Sequence, residues 1–141
     1  MVGLNFRCIE QHDCKEARCK KYLKPTGAKD RLYNVMDFFK TLPYIAIAEG
    51  ELDALTLSSL CGIPAVAAPG ATGWKKHWSR CFEDYPKVWL FSDGDKAGRD
   101  MATDLAKEMN HLIVIEQAEG EDVNSTYLRH GALSIRKMVG L

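Results

Sequence analysis

From Tyr44 onward the chain alternates apolar runs with helix-spaced stretches. The run Tyr44-Ile45-Ala46-Ile47-Ala48 ends at Glu49-Gly50 and reads as a strand; Leu52, Leu55, Ser59 and Leu60 then recur at helical spacing. Cys61-Gly62 stops that helix. Residues 63–67 are expected to form a second short strand leading into the loop Pro69-Gly70-Ala71-Thr72-Gly73, and residues 74–82 another helix. A third strand over 87–91 ends at Ser92-Asp93-Gly94-Asp95. In 97–109, Met101, Leu105 and Met109 form the stripe of an amphipathic helix, and 111–115 make a fourth strand. The tail places Val123, Tyr127 and Leu128, then Leu133, Ile135 and Met138, on two short helices separated at His130-Gly131.

Strands alternating with helices require crossovers that return the chain to the same end, so the fold class is α/β with a four-stranded parallel sheet flanked by helices. Functional groups in such sheets collect beyond the carboxyl ends of the strands, where Glu49, Asp93 and Asp95 fall. With 141 residues, 46% of them hydrophobic, the chain can bury one sizeable core. The net charge of zero conceals an asymmetry: residues 1–43 hold nine Lys/Arg against five Asp/Glu, and residues 44–141 hold ten against fourteen. A basic amino-terminal arm, 1–43, is therefore expected ahead of an acidic domain, 44–141. Five cysteines, an odd number with no signal peptide ahead of them, fit a reducing cytoplasm better than a disulfide framework. No apolar run approaches the ~20 residues that span a bilayer, so no membrane partner is expected.

Carboxylates gathered at strand ends repel and raise one another's pKa unless a cation sits among them. Oxygen-only ligands beside small glycines suit a hard ion such as Mg²⁺, and with it phosphoryl-transfer chemistry. Asp-x-Asp alone serves equally as a turn or helix cap. Its pairing with Glu49 at another strand end is what points to a site.

The segment Ile47-Ala48-Glu49-Gly50-Glu51-Leu52-Asp53-Ala54-Leu55, followed about forty residues later by Phe91-Ser92-Asp93-Gly94-Asp95-Lys96-Ala97-Gly98, resembles the two signature motifs of the Toprim domain, over roughly residues 44–125. That domain is shared by primases, topoisomerases, certain nucleases and recombination mediators. The Lys-Ala-Gly after Asp-x-Asp, the tail Gly120-Glu121-Asp122-Val123-Asn124, and Lys21-Tyr22-Leu23-Lys24-Pro25 leading to Arg31-Leu32-Tyr33-Asn34 are most similar to DnaG-type bacterial and bacteriophage DNA primases. The resemblance implies nucleotidyl transfer that makes RNA primers on single-stranded DNA during replication. Its cofactor would be Mg²⁺ or Mn²⁺, and its partners the template strand, ribonucleoside triphosphates, a replicative helicase and a separate amino-terminal primase polypeptide. By the same resemblance Glu49 acts as a metal-linked general acid or base, Asp93 and Asp95 hold the metal against nucleotide phosphates, Asp53 and Asp122 support them, and Lys96 meets the nucleotide. Two departures stand out. The chain has Asp122-Val123-Asn124 where bacterial primases usually carry a further Asp-x-Asp, and most of the family's amino-terminal subdomain and its separate zinc-binding domain have no counterpart here. The alternatives are a Toprim nuclease acting on DNA and a non-catalytic Toprim module that docks DNA or protein. A topoisomerase would need a separate tyrosine domain. A phosphatase usually carries its Asp-x-Asp after the first strand, not the third.

Arg18, Lys20, Lys21, Lys24, Lys29 and Arg31 face only Asp30 as counter-charge, with Tyr22 and Tyr33 interleaved, a pattern that suits single-stranded nucleic acid or nucleotide phosphates as well as a solvated surface. Cys8, His12, Cys14 and Cys19 lack the paired Cys-x-x-Cys knuckle that usually builds a zinc site, and the sequence assigns none. Cys61 and Cys81 read as small core residues, as do Trp74, Trp78 and Trp89 as large ones. The loop at 69–73 is a phosphate cradle or a tight structural turn, and Asp104 and Glu108 lie on a solvated helix face.

Overall fold

The structure, a computed structural model, describes residues 5–14, 16–20 and 22–141. The chain forms two compact units, Met1–Arg31 and Leu32–Leu141. In the first, β1 (Phe6–Arg7) pairs antiparallel with β2 (Tyr22–Leu23), Phe6 opposite Leu23 and Arg7 opposite Tyr22. The Arg7 guanidinium lies 5.5 Å from the centre of the Tyr22 ring. None of the described residues of this unit is buried.

The second unit opens with a 3-10 turn, Val35–Phe39, and continues as β3 (Tyr44–Ala48), α1 (Glu51–Leu55), β4 (Ala65–Ala67), a 3-10 segment Lys76–Phe82, β5 (Lys87–Ser92), α2 (Lys96–Glu108), β6 (Leu112–Glu116) and α3 (Val123–Met138). The four strands form one parallel sheet in the order β4-β3-β5-β6. Its central strands are buried on both faces, which is why they read as continuous apolar runs. Side chains alternate between two cores. Ile45, Ile47, Val88 and Leu90 meet Phe82 and the Met101, Leu105 and Met109 stripe below α2. Ala46, Ala48, Trp89 and Phe91 meet Ala54, Leu57, Cys61, Val123 and Ile135 on the opposite face.

Several local expectations change. The helix after Glu49 turns Ala54, Leu57 and Cys61 to the sheet and leaves Leu52, Leu55 and Leu60 exposed. Its second half, Thr56–Leu60, is wound as a π-helix and buries Thr56 and Leu57. The stretch expected as a helix over 74–82 is a 3-10 segment, Cys81 is exposed rather than in the core, and Trp74 is only half-buried. In α3, Gly131 at φ 74°, ψ 174° breaks the run into two helical pieces, as its glycine suggests. Residues 32–43, expected within the arm, belong to the α/β unit. The Tyr33 amide and carbonyl pair with those of Ala67, and the buried Asp37 accepts hydrogen bonds from the Ala65 amide (2.9 Å) and the Ser58 hydroxyl (2.5 Å) and an ion pair from Lys40 (2.7 Å).

Candidate acidic active site

β4 lies on one side of β3 and β5 on the other, so the crossovers leave the β3–β5 seam in opposite directions, the arrangement that in open parallel sheets places a ligand crevice beyond the carboxyl ends of these strands. Ala48 pairs with Phe91, which sets Glu49 and Asp93 just past the end of the ladder. The Asp93 amide donates to Glu49 Oε1 at 2.8 Å. Gly50, extended at the start of α1, lets Asp53 fold back: a Cβ there would come within 2.8 Å of Asp53 Oδ2. Glu49 and Asp53 are 6% and 7% exposed, burial that for a carboxylate demands partners.

The Asp93 loop is clamped from the β6–α3 side. The Gln117 amide donates to the Ser92 carbonyl (3.0 Å), Gly94 to Glu121 (2.8 Å) and Gly120 to Gly94 (2.9 Å). Gly94 has no room for a side chain against the Ala118 carbonyl. This clamp delivers the start of α3. Asp122 caps it reciprocally with Ser125, the Asn124 amide donates to Asp53 Oδ1 (3.1 Å), and the Asn124 side-chain carbonyl accepts from the Thr56 hydroxyl (3.3 Å). Asn124, at the position where the resemblance implied a further acid, thus braces Asp53. Asp95 caps α2, accepting the Gly98 amide at 2.8 Å. A Cβ on Gly98 would lie 2.5 Å from Glu49 Oε1 and overlap the Asp93 backbone.

The five candidate acids therefore share one electrostatic neighbourhood. Asp93 is pushed up to about 7, first by burial and then by Glu49, Asp53, Asp122 and Asp95. Glu49 is raised by burial, opposed by the Asp93 amide and reinforced by Asp95 and Asp53. Asp93 Oδ1 is buried and takes no hydrogen bond. An all-oxygen donor set with a buried, unsatisfied carboxylate oxygen fits a hard divalent cation. Among the described residues no three of these carboxylates bring oxygens within 4.8 Å of one another.

Of the candidate basic residues, Lys96 is exposed in the first turn of α2, directly after Asp95. Arg18, Lys20, Lys24, Lys29 and Arg31 lie exposed in the first unit, Lys24 paired with Asp30 at 2.7 Å; Lys21 lies outside the described residues. The 69–73 loop is a tight turn, with the Gly70 amide bonded to the Glu49 carbonyl (3.1 Å) and the Gly73 amide to the Gly70 carbonyl (3.0 Å). Asp104 pairs with Lys107 and Glu108 accepts from Ser79, both at the surface. The bracing roles of Gly94, Gly98 and Asn124 escaped the sequence reading, although all three stand inside the motif segments it singled out.

Comparison with known proteins bears on the family and the fold. A family model described as the Toprim domain matches residues 44–132. The Gene 57 protein of Mycobacterium phage D29 is 42% identical over 111 residues, covering 79% of this chain and 72% of that protein. A DNA primase domain from Pseudomonas aeruginosa superposes with a TM-score of 0.76 at 23% identity, over 99% of this chain and 46% of its own. The primase fragment of the bacteriophage T7 primase-helicase protein does so at 0.61 and 27% identity, over 68% of this chain and 43% of its own. The fold is that of DnaG-type primase catalytic domains, and the chain spans less than half the length of these two primase chains.

Proposed function

Because the chain belongs to the Toprim family, we propose that it is the Toprim catalytic portion of a DNA primase, making RNA primers on single-stranded DNA during replication by metal-dependent nucleotidyl transfer. The observation that carries the reading is Asp93, a half-buried carboxyl with one buried, unsatisfied oxygen, raised to about 7 by burial and by the charges of four other acids. So much like charge in a low-dielectric pocket is costly without a cation. Glu49, Asp93 and Asp95, supported by Asp53 and Asp122, would hold Mg²⁺ or Mn²⁺. Bound there, the metal supplies positive charge against the nucleotide phosphates as a 3′-hydroxyl displaces pyrophosphate at the α-phosphorus.

The chain's own residues do the rest. Glu49, raised by its burial, exchanges a proton nearer neutral pH than an exposed glutamate and serves as general acid or base. Its hold on the Asp93 amide fixes the spacing between the two strand ends. Lys96, at the start of α2, offers an ammonium to the triphosphate. Arg18, Lys20, Lys21, Lys24, Lys29 and Arg31 contribute charge for template or nucleotide phosphates. The reading includes an amino-terminal primase polypeptide and a replicative helicase as partners, and the cytoplasm as the compartment. The helicase is suggested by the T7 protein, which is a primase-helicase.

The test is labelled ribonucleotide incorporation on single-stranded DNA with Mg²⁺ or Mn²⁺, for the chain and its Asp93→Asn variant, each alone and with the amino-terminal primase polypeptide of the same source. Template-dependent oligoribonucleotides, reduced at least ~100-fold in the variant, are expected. Metal-dependent nicking of the template in their place would make the protein a Toprim nuclease. DNA binding with neither activity would make it a docking module.

A further inference from the structure

Cys8, His12, Cys14 and Cys19 bring one ligand atom each to within 4.8 Å of one another. The Nε2 of His12 lies 3.0 Å from Cys19 Sγ, 3.7 Å from Cys14 Sγ and 3.8 Å from Cys8 Sγ. Around a tetrahedral Zn²⁺, with bonds of about 2.3 Å to sulfur and about 2.05 Å to nitrogen, neighbouring ligand atoms stand roughly 3.5–3.8 Å apart. The observed spacings bracket that geometry. We propose that these four residues form a structural Zn²⁺ site in the Met1–Arg31 unit.

Two further observations support this. The first concerns what holds the unit together. None of its described residues is buried; Phe6, Ile9, Tyr22 and Leu23 are all exposed, and its two strands have two residues each. A hairpin that small is unstable in water without a staple, and a three-thiolate, one-imidazole site supplies folding free energy directly. The second is the backbone that brings the ligands together. Cys8 follows β1 immediately, the Cys19 amide returns to the Cys14 carbonyl at 3.0 Å, and Arg18 adopts φ 54° to make that return. A left-handed arginine costs roughly 1–2 kcal/mol and persists where the surroundings hold it.

Three soft sulfurs and one nitrogen select zinc over Mg²⁺ or Mn²⁺, so this site and the acidic crevice sort their ions by donor chemistry. All four tetrahedral positions are protein ligands, which makes the role structural. On binding, the thiols release their protons and fix Arg18 and Lys20, which flank Cys19. The match to the Pseudomonas primase domain takes in 99% of this chain, so the cluster lies within matched chain and not in an appended module.

The full chain, purified under reducing conditions without added zinc, is expected to carry about one zinc by elemental analysis. The cobalt(II)-substituted protein is expected to show the visible absorption of a tetrahedral thiolate site. Cys14→Ser and Cys19→Ser should each lower zinc affinity at least tenfold in a chelator competition, while Cys81→Ser and Asp93→Asn should leave it unchanged. The last control separates this site from the acidic crevice. A wild-type chain that holds no zinc and gives no cobalt spectrum would overturn the proposal, as would zinc retained in the Cys14→Ser, Cys19→Ser double variant.

Discussion

Asp37 is held by donors from three places: Lys40 on its own turn, the Ser58 hydroxyl and the Ala65 amide at the sheet edge. Nothing around it in sequence marks it as special, because Ser58 and Ala65 become its neighbours only when α1 and β4 pack. Lys40 remains half in solvent and tolerates the loss of its partner, so the main cost of Asp37→Ala is the stranded Ala65 amide and Ser58 hydroxyl. A loss of about 2 kcal/mol in urea unfolding is expected. Burial alone would raise this carboxyl, but its bonds from Lys40, Ser58 and Ala65 hold it below the ordinary value. With the folded pKa below the unfolded value of about 3.9, its stabilisation is fully present above that pH and is lost as pH falls through the folded pKa. The stability gap between wild type and Asp37→Asn should therefore be constant above about pH 5 and narrow on acidification. Gly98 poses the opposite competition. Alanine gains about 1 kcal/mol in helix propensity, yet its methyl would press on Glu49 Oε1 and the Asp93 backbone, a crowding that costs roughly 1–3 kcal/mol. Gly98→Ala is expected to lower the thermal midpoint, and with it the incorporation activity, in a position where propensity alone predicts a gain.

At the level of elements, the strands and α2 were legible because their patterns are strong. Tyr44–Ala48 was bounded by Glu49-Gly50, and Met101, Leu105 and Met109 marked the buried side of α2. For the element after Glu49 the leucine spacing marks a helix but does not say which side meets the sheet. The sheet face below it is lined by Ala46 and Ala48, which admits a close approach through Ala54, Leu57 and Cys61, and Leu52, Leu55 and Leu60 lie on the exposed side. A pair of substitutions tests this. Leu57→Ala should cost about 3 kcal/mol in denaturant unfolding, whereas Leu52→Ala, on a side chain 44% exposed, should cost less than about 0.5 kcal/mol.

For the molecule as a whole, the three acids at strand ends could be read from sequence because parallel sheets place such positions together. How Asp53 and Asp122 join them could not, since that depends on the clamp between the Asp93 loop and residues 117–121 and on the Asn124 amide. The convergence has a thermodynamic signature. A cation that binds the folded crevice stabilises it by about 2.7 kcal/mol at a hundredfold excess over its dissociation constant. Thermal unfolding of the chain should shift upward on titration with Mn²⁺, and Asp93→Asn should abolish most of that shift while itself unfolding higher than wild type in chelator above about pH 7, where the Asp93 charge among the other acids is gone.

The β3–β5 register carries a consequence for how this chain can change in length. Ala48 faces Phe91, and the acids begin one residue beyond the end of each strand. Adding or deleting a single residue within 44–49 or 87–93 would exchange the two faces of a strand and carry its acid about 3.3 Å along the sheet, spoiling core and crevice together. Length variation is then confined to connections that set no register, such as 70–75 and 83–86. Chains descended from this one should differ there by whole loops while keeping both strand segments free of gaps.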